Sequence, residues 1–157
     1  MSQHLNNDFI GASILYKYLN SQNEYQKIYS CLEDAKMYYP NFKKWYNEKV
    51  IPDLINFKRE LIIERRKDNI VGVSIVKVEE KKLCTLRIID KFQNRGIGLK
   101  IFEKSFEKLN TEKPFLTVSE EKLPEFKRIF NYYKFNLTSV HHDLYRDGKK
   151  EYFFNEL

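Results

Sequence analysis

The chain has 157 residues, of which 42% are hydrophobic and 15% aromatic, and its 28 basic and 22 acidic residues give a net charge of +6. This length and this aromatic content exclude intrinsic disorder and predict one domain spanning residues 1–157. Cys31 and Cys84 are the only cysteines, and neither belongs to a C-x-x-C pair, so we expect reduced thiols and no zinc or dithiol site.

The sequence also indicates where the protein resides. No uncharged stretch approaches the roughly 20 residues that cross a bilayer. The N-terminal residues MSQHLNNDF lack the basic and apolar regions of a secretory signal. We therefore expect a cytoplasmic protein without a membrane segment. The positive charge is concentrated in the middle third of the chain, a distribution that suits a phosphate-bearing ligand, an RNA or an acidic partner as well as a solvated surface.

Hydrophobic periodicity divides the chain into alternating elements. The first third is predicted to hold one strand and two helices, and the second helix region is rich in aromatic residues. The remainder is predicted to hold three strands in a meander, a helix, a strand, a second helix and a final pair of strands around the Asp147-Gly148 turn. In chain order the predicted bounds are strand 12–19, helix 23–37, helix 42–54, strands 61–65, 70–78 and 83–89, helix 97–109, strand 115–118, helix 120–133, and strands 137–145 and 151–154.

This order, β-α-α-β-β-β-α-β-α-β-β, predicts an α/β (α+β mixed) fold. We expect a central mixed sheet of six to seven strands with helices on both faces. The β-α-β unit over residues 83–118 is predicted to be a right-handed parallel crossover.

The most informative stretch, residues 88–98, joins a predicted strand to a predicted helix and holds two of the chain's five glycines. The first turn of a helix presents unpaired backbone N–H groups, and the helix dipole adds positive potential there. Glycine lets such a turn approach a ligand closely. Arg95, Lys91 and Lys100 add formal positive charge nearby. The stretch is therefore predicted to bind a phosphate group.

The spacing of these glycines excludes two common nucleotide sites. The P-loop pattern G-x-x-x-x-G-K-[ST] is absent. In the dinucleotide pattern G-x-G-x-x-G, the third glycine would follow Gly96 and Gly98 at position 101, which is isoleucine.

The same stretch resembles the signature of the Gcn5-related N-acetyltransferase (GNAT) family. That signature, Q/R-x-x-G-x-G/A, reads Gln93-x-x-Gly96-x-Gly98 here, and the order of elements around it is similar over nearly the whole chain. The resemblance implies the GNAT fold and acetyl-CoA as co-substrate, with no metal. It implies that Ile88 and Ile89 line the pantetheine arm. It further implies a pyrophosphate site formed by Gln93, Asn94, Arg95, Gly96, Ile97, Gly98 and Leu99.

The family resemblance leaves the general acid open. Many members carry a tyrosine four residues before a Gly-Phe pair, and this chain has no such pair. If Lys134-Phe135 replaces it, the tyrosine position is Phe130, and Tyr133 lies one turn further along the same helix face. If Asn136-Leu137 replaces it, the tyrosine position is Tyr132. Tyr132 and Tyr133 are therefore the two catalytic candidates, and packing of Tyr133 in the core is the alternative role.

The general base is open as well. Members of the family often use a glutamate on the fourth strand, but the corresponding strand here, over residues 83–89, has no acidic residue. Glu120, Glu121, His141 and His142 are candidates elsewhere, although adjacent histidines on a strand face opposite ways. Attack by an already neutral amine is the alternative, in which catalysis is mainly positioning.

Three functions remain compatible with the sequence. The first is transfer of an acetyl group to a primary amine of a small molecule or a protein. The second is the same chemistry on aminoacyl-tRNA, as a toxin held by an antitoxin, with aromatic residues stacking on bases. The third is a non-catalytic CoA-binding module. In each case the protein is expected to be a monomer or a homodimer. The resemblance implies an acceptor side built from the first two helices, their loop and the last hairpin, and the aromatic residues there are Tyr38, Tyr39, Phe42, Trp45, Tyr46 and Tyr145.

Overall fold

The computed structural model describes residues 23–93 and 95–157. The strand predicted over residues 12–19 lies outside them, as does Asn94 of the predicted phosphate site. Residues 31–157 form one compact unit. The expectation of a single domain over all 157 residues stays a prediction.

Four helical segments lie close to the predicted positions. Helix α1 occupies residues 23–32 and continues into a 3-10 turn, Glu33–Met37. The second helical run, α2, has α-helical ends, Phe42–Trp45 and Ile51–Ile55, around a π-helical turn, Tyr46–Val50. Pro52 has no N–H to donate to the preceding turn, so the regular hydrogen-bond ladder is interrupted there.

The last two helices carry amphipathic patterns, with their apolar side chains facing the sheets. Helix α3 spans Ile97–Leu109, as predicted, and helix α4 spans Leu123–Tyr132. Helix α4 begins three residues later than predicted, because the backbone N–H of Glu120 still donates to the carbonyl of Lys150 in the neighbouring strand at 3.1 Å.

Six strands lie at the predicted positions within the described ranges, with ends that differ by a few residues. They are β1 (Glu60–Arg66), β2 (Asn69–Lys77), β3 (Lys82–Ile88), β4 (Leu116–Ser119), β5 (Leu137–His142) and β6 (Lys150–Phe154).

The strands form two three-stranded antiparallel sheets rather than the one continuous sheet that was predicted. Their orders are β1-β2-β3 and β4-β6-β5. A single parallel pair, Lys82 with Phe115, joins β3 to β4. The N–H of Leu83 donates to the carbonyl of Phe115 at 3.0 Å, and the N–H of Phe115 donates to the carbonyl of Lys81 at 2.9 Å. Beyond this pair, the two strands are not hydrogen-bonded to each other in the described residues, so a gap opens between them.

A β-bulge disturbs β3 close to the point where it meets β4. Ile75 of β2 pairs with Thr85, whereas the next residue, Val76, pairs with Leu83, so Cys84 is the extra residue. Leu86 and Ile88 face α3 and contribute to the core. Because side chains alternate along a strand, Thr85 and Arg87 face the opposite side of the sheet. On that side, the guanidinium of Arg87 donates to Asp34 at 2.7 Å.

Basic residues of the middle third converge on one buried carboxylate. Glu64 of β1 is only 4% exposed. Its oxygens lie 2.7 Å from Arg66, 3.1 Å from Lys100 and 2.6 Å from Lys104. Hydrogen bonds from Lys104 first, and then from Arg66 and Lys100, hold the pKa of Glu64 at about 2. Part of the predicted basic surface is therefore neutralised by ion pairs.

Cys31 and Cys84 are both free and half-buried, as predicted. Among the helices that the structure describes, none has the length and apolar character of a membrane span.

Candidate functional site

The start of helix α3 has the backbone geometry of an anion-binding turn. Gly96 has φ +77°, in the left-handed region that glycine favours, and an added Cβ would have no heavy atom within 4 Å. The N–H of Lys100 donates to the carbonyl of Gly96 at 3.2 Å, which closes the first helical turn. The N–H groups of Ile97, Gly98 and Leu99 precede that bond and have no partner within the helix.

The loop before Gly96 is fixed to the end of β3. The N–H of Ile89 donates to Val71 of β2 at 3.0 Å, and the N–H of Phe92 donates to Ile89 at 2.8 Å. The side-chain amide of Gln93 donates to the carbonyl of Ile88 at 3.2 Å. The predicted motif residue Gln93 therefore fixes the loop to the end of β3 through its side chain.

Positive charge surrounds this turn without an acidic residue in the first turn of α3. Lys91 and Arg95 are exposed, and their charged groups lie 5.1 Å and 5.9 Å from the centre of the Phe92 ring. The helix dipole, the N–H groups that have no partner within the helix and these two cations all favour a bound anion.

The part of β3 that is not paired with β4 ends at Ile88, and the chain passes from there to this turn. Backbone groups of a strand alternate between its two edges. Since the N–H of Ile89 is directed to β2, the backbone groups of Leu86 and Ile88 are directed to the gap. This edge can pair with an extended, amide-containing ligand.

The predicted cofactor residues differ in what they can offer. Ile97 is buried in a cluster with Val71 and Ile101, and Ile88 packs against that cluster, so the backbone N–H groups of Ile88 and Ile97 are the parts available to a ligand. A Cβ on Gly98 would lie 3.8 Å from Ile88. Leu99 is exposed.

The backbone at the end of helix α4 bears on the two alignments of the Gly-Phe pair. The N–H of Phe135 donates to Phe130 at 2.9 Å, and the N–H of Lys134 donates to Asn131 at 3.1 Å. These are the two bonds of a Schellman motif, whose left-handed residue is usually glycine. Lys134 is that residue, with φ +56°. This geometry supports the alignment in which Lys134-Phe135 stands for Gly-Phe and the buried Phe130 for the tyrosine.

The two candidate tyrosines have different surroundings. Tyr132 is 75% exposed. Tyr133 is half-buried, and its ring meets Phe106 edge-on at 4.7 Å. Burial, followed by the charge of Glu103, raises the pKa of Tyr133. Tyr133 therefore has the packing contacts of a core residue, and its hydroxyl stays protonated at neutral pH.

A buried carboxylate that the sequence analysis did not single out lies on the face of the sheets opposite α3. Glu151 of β6 is 4% exposed. Its Oε1 accepts hydrogen bonds from the hydroxyls of Tyr39 at 2.7 Å and Thr117 at 2.9 Å. The Tyr145 ring meets Tyr39 edge-on at 5.2 Å. We call these four residues the Glu151 cluster. Burial raises the pKa of Glu151, against the opposing effect of those hydrogen bonds and of Arg146.

The other candidate bases are occupied or peripheral. Arg146 binds both oxygens of Glu121 at 2.8 Å and 2.7 Å, which holds the pKa of Glu121 at about 2. Glu120 accepts the N–H of Lys150 at 3.1 Å. His141 stacks on Phe153 with ring centres 4.1 Å apart, whereas His142 is exposed.

The aromatic residues of the expected acceptor side divide into two groups. Phe42 and Tyr46 are buried, as core residues are. The ring of Tyr38 lies against the cations of Lys122 and Arg146, at 5.2 Å and 5.6 Å. Together with the Glu151 cluster, these residues bring the loop after α1, the β4–α4 loop and the β5–β6 hairpin to one place.

Arg59 joins helix α2 to the bulge of β3. Its guanidinium donates to Asp53 at 2.9 Å and contacts the Cys84 sulfur at 3.0 Å. It also lies 5.3 Å from the centre of the Trp45 ring. Burial raises the pKa of the Cys84 thiol, which therefore stays protonated at neutral pH. Trp45 and Cys84 thus belong to a structural junction.

Comparison with solved structures identifies the fold. A GNAT-family protein from Desulfovibrio desulfuricans superposes with a TM-score of 0.65 at 15% identity, over 84% of this chain and 90% of that one. A chimera of the Vibrio cholerae spermidine N-acetyltransferase gives 0.59 at 14% identity, over 84% and 89%. A GNAT acetyltransferase from Elizabethkingia anophelis with acetyl-CoA bound gives 0.53 at 14% identity, over 68% and 80%.

The chain therefore has the GNAT fold, and the resemblance predicted from Gln93, Gly96 and Gly98 is confirmed at the level of the fold. No family model matches the sequence, and no curated protein matches it.

Proposed function

We propose that this protein transfers an acetyl group from acetyl-CoA to a primary amine. The observation that carries the proposal is the separation of β3 from β4 beyond the Lys82–Phe115 pair, along the part of β3 that continues in the chain to the glycine turn at the start of α3. An extended arm can lie in the gap while an anionic group lies at the turn, and acetyl-CoA has both parts.

The residues of this chain fit that ligand. The N–H groups of Ile97, Gly98 and Leu99 would bind the pyrophosphate, and Arg95 would add charge. The exposed backbone edge of β3 would pair with the amides of the pantetheine arm. Because Gln93 already donates to the carbonyl of Ile88, that carbonyl serves the loop rather than the ligand.

Acetyl-CoA supplies the thioester, and side chains of this protein donate and accept the protons of the reaction. A protonated tyrosine hydroxyl can donate to the departing sulfur. Both Tyr132 and Tyr133 remain candidates for that role in the proposal. The raised pKa of Tyr133 keeps its hydroxyl protonated, and the exposure of Tyr132 suits access to a ligand.

The proposal is tested by calorimetric titration of the protein with three ligands: acetyl-CoA, acetyl-dephospho-CoA and acetyl-pantetheine. Acetyl-dephospho-CoA lacks only the 3′-phosphate and keeps the pyrophosphate, so its affinity should stay within about tenfold of that of acetyl-CoA. Acetyl-pantetheine lacks the pyrophosphate together with the adenosine. It should bind at least about 100-fold more weakly, because the charge-assisted hydrogen bonds to the pyrophosphate alone contribute roughly 1.5–3 kcal/mol each. Equal affinities for acetyl-pantetheine and acetyl-CoA, or no binding of either, would overturn the proposal.

A further inference from the structure

The Glu151 cluster has no role in binding the acetyl donor, yet it places a buried carboxylate near the gap. Thr117 lies two residues beyond Phe115, the last point at which β3 and β4 are paired. Its hydroxyl reaches across to Glu151 on the adjacent strand β6. Thr117 and Glu151 also share the sheet face that α3 does not cover.

We propose that the Glu151 carboxylate, flanked by the rings of Tyr39 and Tyr145, is the subsite that holds the ammonium group of the acceptor and takes its proton. This inference rests on the proposed function and adds to it a recognition element and a base. The acceptor class is then an amine that arrives as a cation.

The arrangement of the hydrogen bonds supports this role. Among the described residues, both hydroxyl bonds to the carboxylate fall on Oε1. Oε2 is then the oxygen that can accept an N–H of an ammonium group. The faces of tyrosine rings attract cations, and the Tyr145 ring is half exposed, so the cluster opens to solvent on that side.

A second polar group lies beside the carboxylate. Ser119 of β4 is the cross-strand partner of Glu151, so the two side chains lie on the same face of the sheet. The Ser119 hydroxyl is buried and has no hydrogen-bond partner in the part of the chain that the structure describes. A buried hydroxyl without a partner is rare in folded proteins and suits a polar ligand atom.

The charges around Glu151 come from several elements. Tyr39 and Tyr145 are uncharged at neutral pH, because burial raises the pKa of each hydroxyl. On the β5–β6 hairpin and the β4–α4 loop, Arg146 and Lys149 both pair with the one carboxylate of Glu121, at 2.7 Å and 3.5 Å. On β5, His141 is the cross-strand neighbour of Glu151. Arg146 and Lys149 are therefore both held at Glu121 by ion pairs, which leaves the Glu151 carboxylate as the partner for a cationic acceptor.

In the proposed transfer, the ammonium nitrogen loses two protons and gains one bond to carbon. The ammonium nitrogen gives one proton to Glu151, and its freed electron pair forms the C–N bond with the thioester carbonyl carbon. The C–S bond then breaks, and CoA leaves with its electron pair. The tyrosine hydroxyl protonates the sulfur and is restored by the second proton that the nitrogen loses, and Glu151 returns its proton to solvent. Each acetyl transfer releases one proton.

The first test is binding, with n-butylamine and n-butanol as probes in the presence of CoA. At pH 8 the amine is a cation and the alcohol is neutral, while their alkyl chains are identical. We expect the wild-type protein to bind n-butylamine at least about tenfold more tightly than n-butanol, and Glu151→Gln to lose that preference. A Glu151→Gln protein that keeps the preference, or a wild-type protein that binds neither probe, would refute the subsite.

The second test is the pH profile of kcat/KM for n-butylamine. We expect a rising limb that reports deprotonation of Glu151 in the wild-type protein and is absent in Glu151→Gln, with a loss of roughly 100-fold or more. Tyr39→Phe keeps the ring and removes one hydrogen bond to the carboxylate, so it should move that limb to higher pH. If Glu151 has only a structural role, the rising limb of the kcat/KM profile will stay at the same pH in both variants.

Acetyl-CoA titration of the same variants separates the two proposals. If wild type and Glu151→Gln bind acetyl-CoA equally and the amine results above fail, the subsite is refuted and the proposed function stands. If the wild-type protein does not bind acetyl-CoA, the proposed function itself fails.

Discussion

Replacing Gly96 tests the anion-binding turn with two variants that differ only in charge. Gly96→Asp and Gly96→Asn introduce side chains of nearly the same shape. Both residues tolerate the left-handed backbone region better than other non-glycine residues. The position has φ +77° and open space around an added Cβ. Each variant should therefore fold, at a cost of about 1 kcal/mol.

The magnitude of the charge effect follows from Coulomb's law. A carboxylate at position 96 would lie roughly 5 Å from an anion held by the first turn of α3, which gives about 3 kcal/mol of repulsion per unit charge at an effective dielectric constant of 20. That repulsion corresponds to a loss of roughly 100-fold in the affinity for acetyl-CoA. Gly96→Asn should lose far less affinity, since it adds bulk without charge.

The assay is calorimetric titration of both variants with acetyl-CoA at low ionic strength, repeated at high salt, with urea unfolding as the control for folding. The difference between Asp and Asn should shrink as salt rises, because a partly exposed charge is screened. If the folded Asp and Asn variants bind acetyl-CoA with equal affinity, no anionic group of the ligand approaches Gly96 and the assignment of this turn is wrong.

Three further predictions concern the supporting structure and the acid. The folded pKa of Glu64, about 2, lies below the ordinary 4.5, so its stabilisation is present above pH 4.5 and is lost as the pH falls from 4.5 to 2. Urea unfolding should thus show wild type more stable than Glu64→Gln at pH 7, with a gap that closes by pH 2; a constant gap would contradict the ion-pair account. Lys134→Gly should raise the free energy of unfolding by about 1 kcal/mol, because glycine favours φ +56°, whereas Lys134→Ala should not. Tyr133→Phe or Tyr132→Phe should lower kcat roughly 100-fold for the true general acid, and unchanged kcat in both would exclude an acid role for either hydroxyl.

The sequence predicted those features that depend on nearby residues. Helix α3 was predicted over the residues it occupies, because its apolar side chains recur at the helical period. The glycine turn before it was recognisable because Gly96 takes the conformation that glycine favours. The end of α4 was harder to predict, since Lys134 occupies a left-handed position without being a glycine.

The remaining features depend on contacts between distant parts of the chain. Tyr39 and Glu151 are 112 positions apart in sequence, and nothing local to either residue indicates their hydrogen bond. A weak signal existed in the final strand, where Glu151 shares a face with the aromatic Phe153 two residues later. The separation of β3 from β4 was likewise hidden, because each strand keeps the pattern of a paired strand.

The central claim is acetyl transfer to an amine, and the most direct measurement follows the label from acetyl-labelled CoA. The protein is incubated with this donor and a bacterial cell extract, and the labelled products are sorted by size and by nuclease or protease sensitivity. The account predicts label in amines of small molecules or proteins, lost with Glu151→Gln. Label in RNA that mild alkali releases would instead indicate aminoacyl-tRNA as the acceptor. Bound acetyl-CoA without transfer to any component of the extract would contradict the claim.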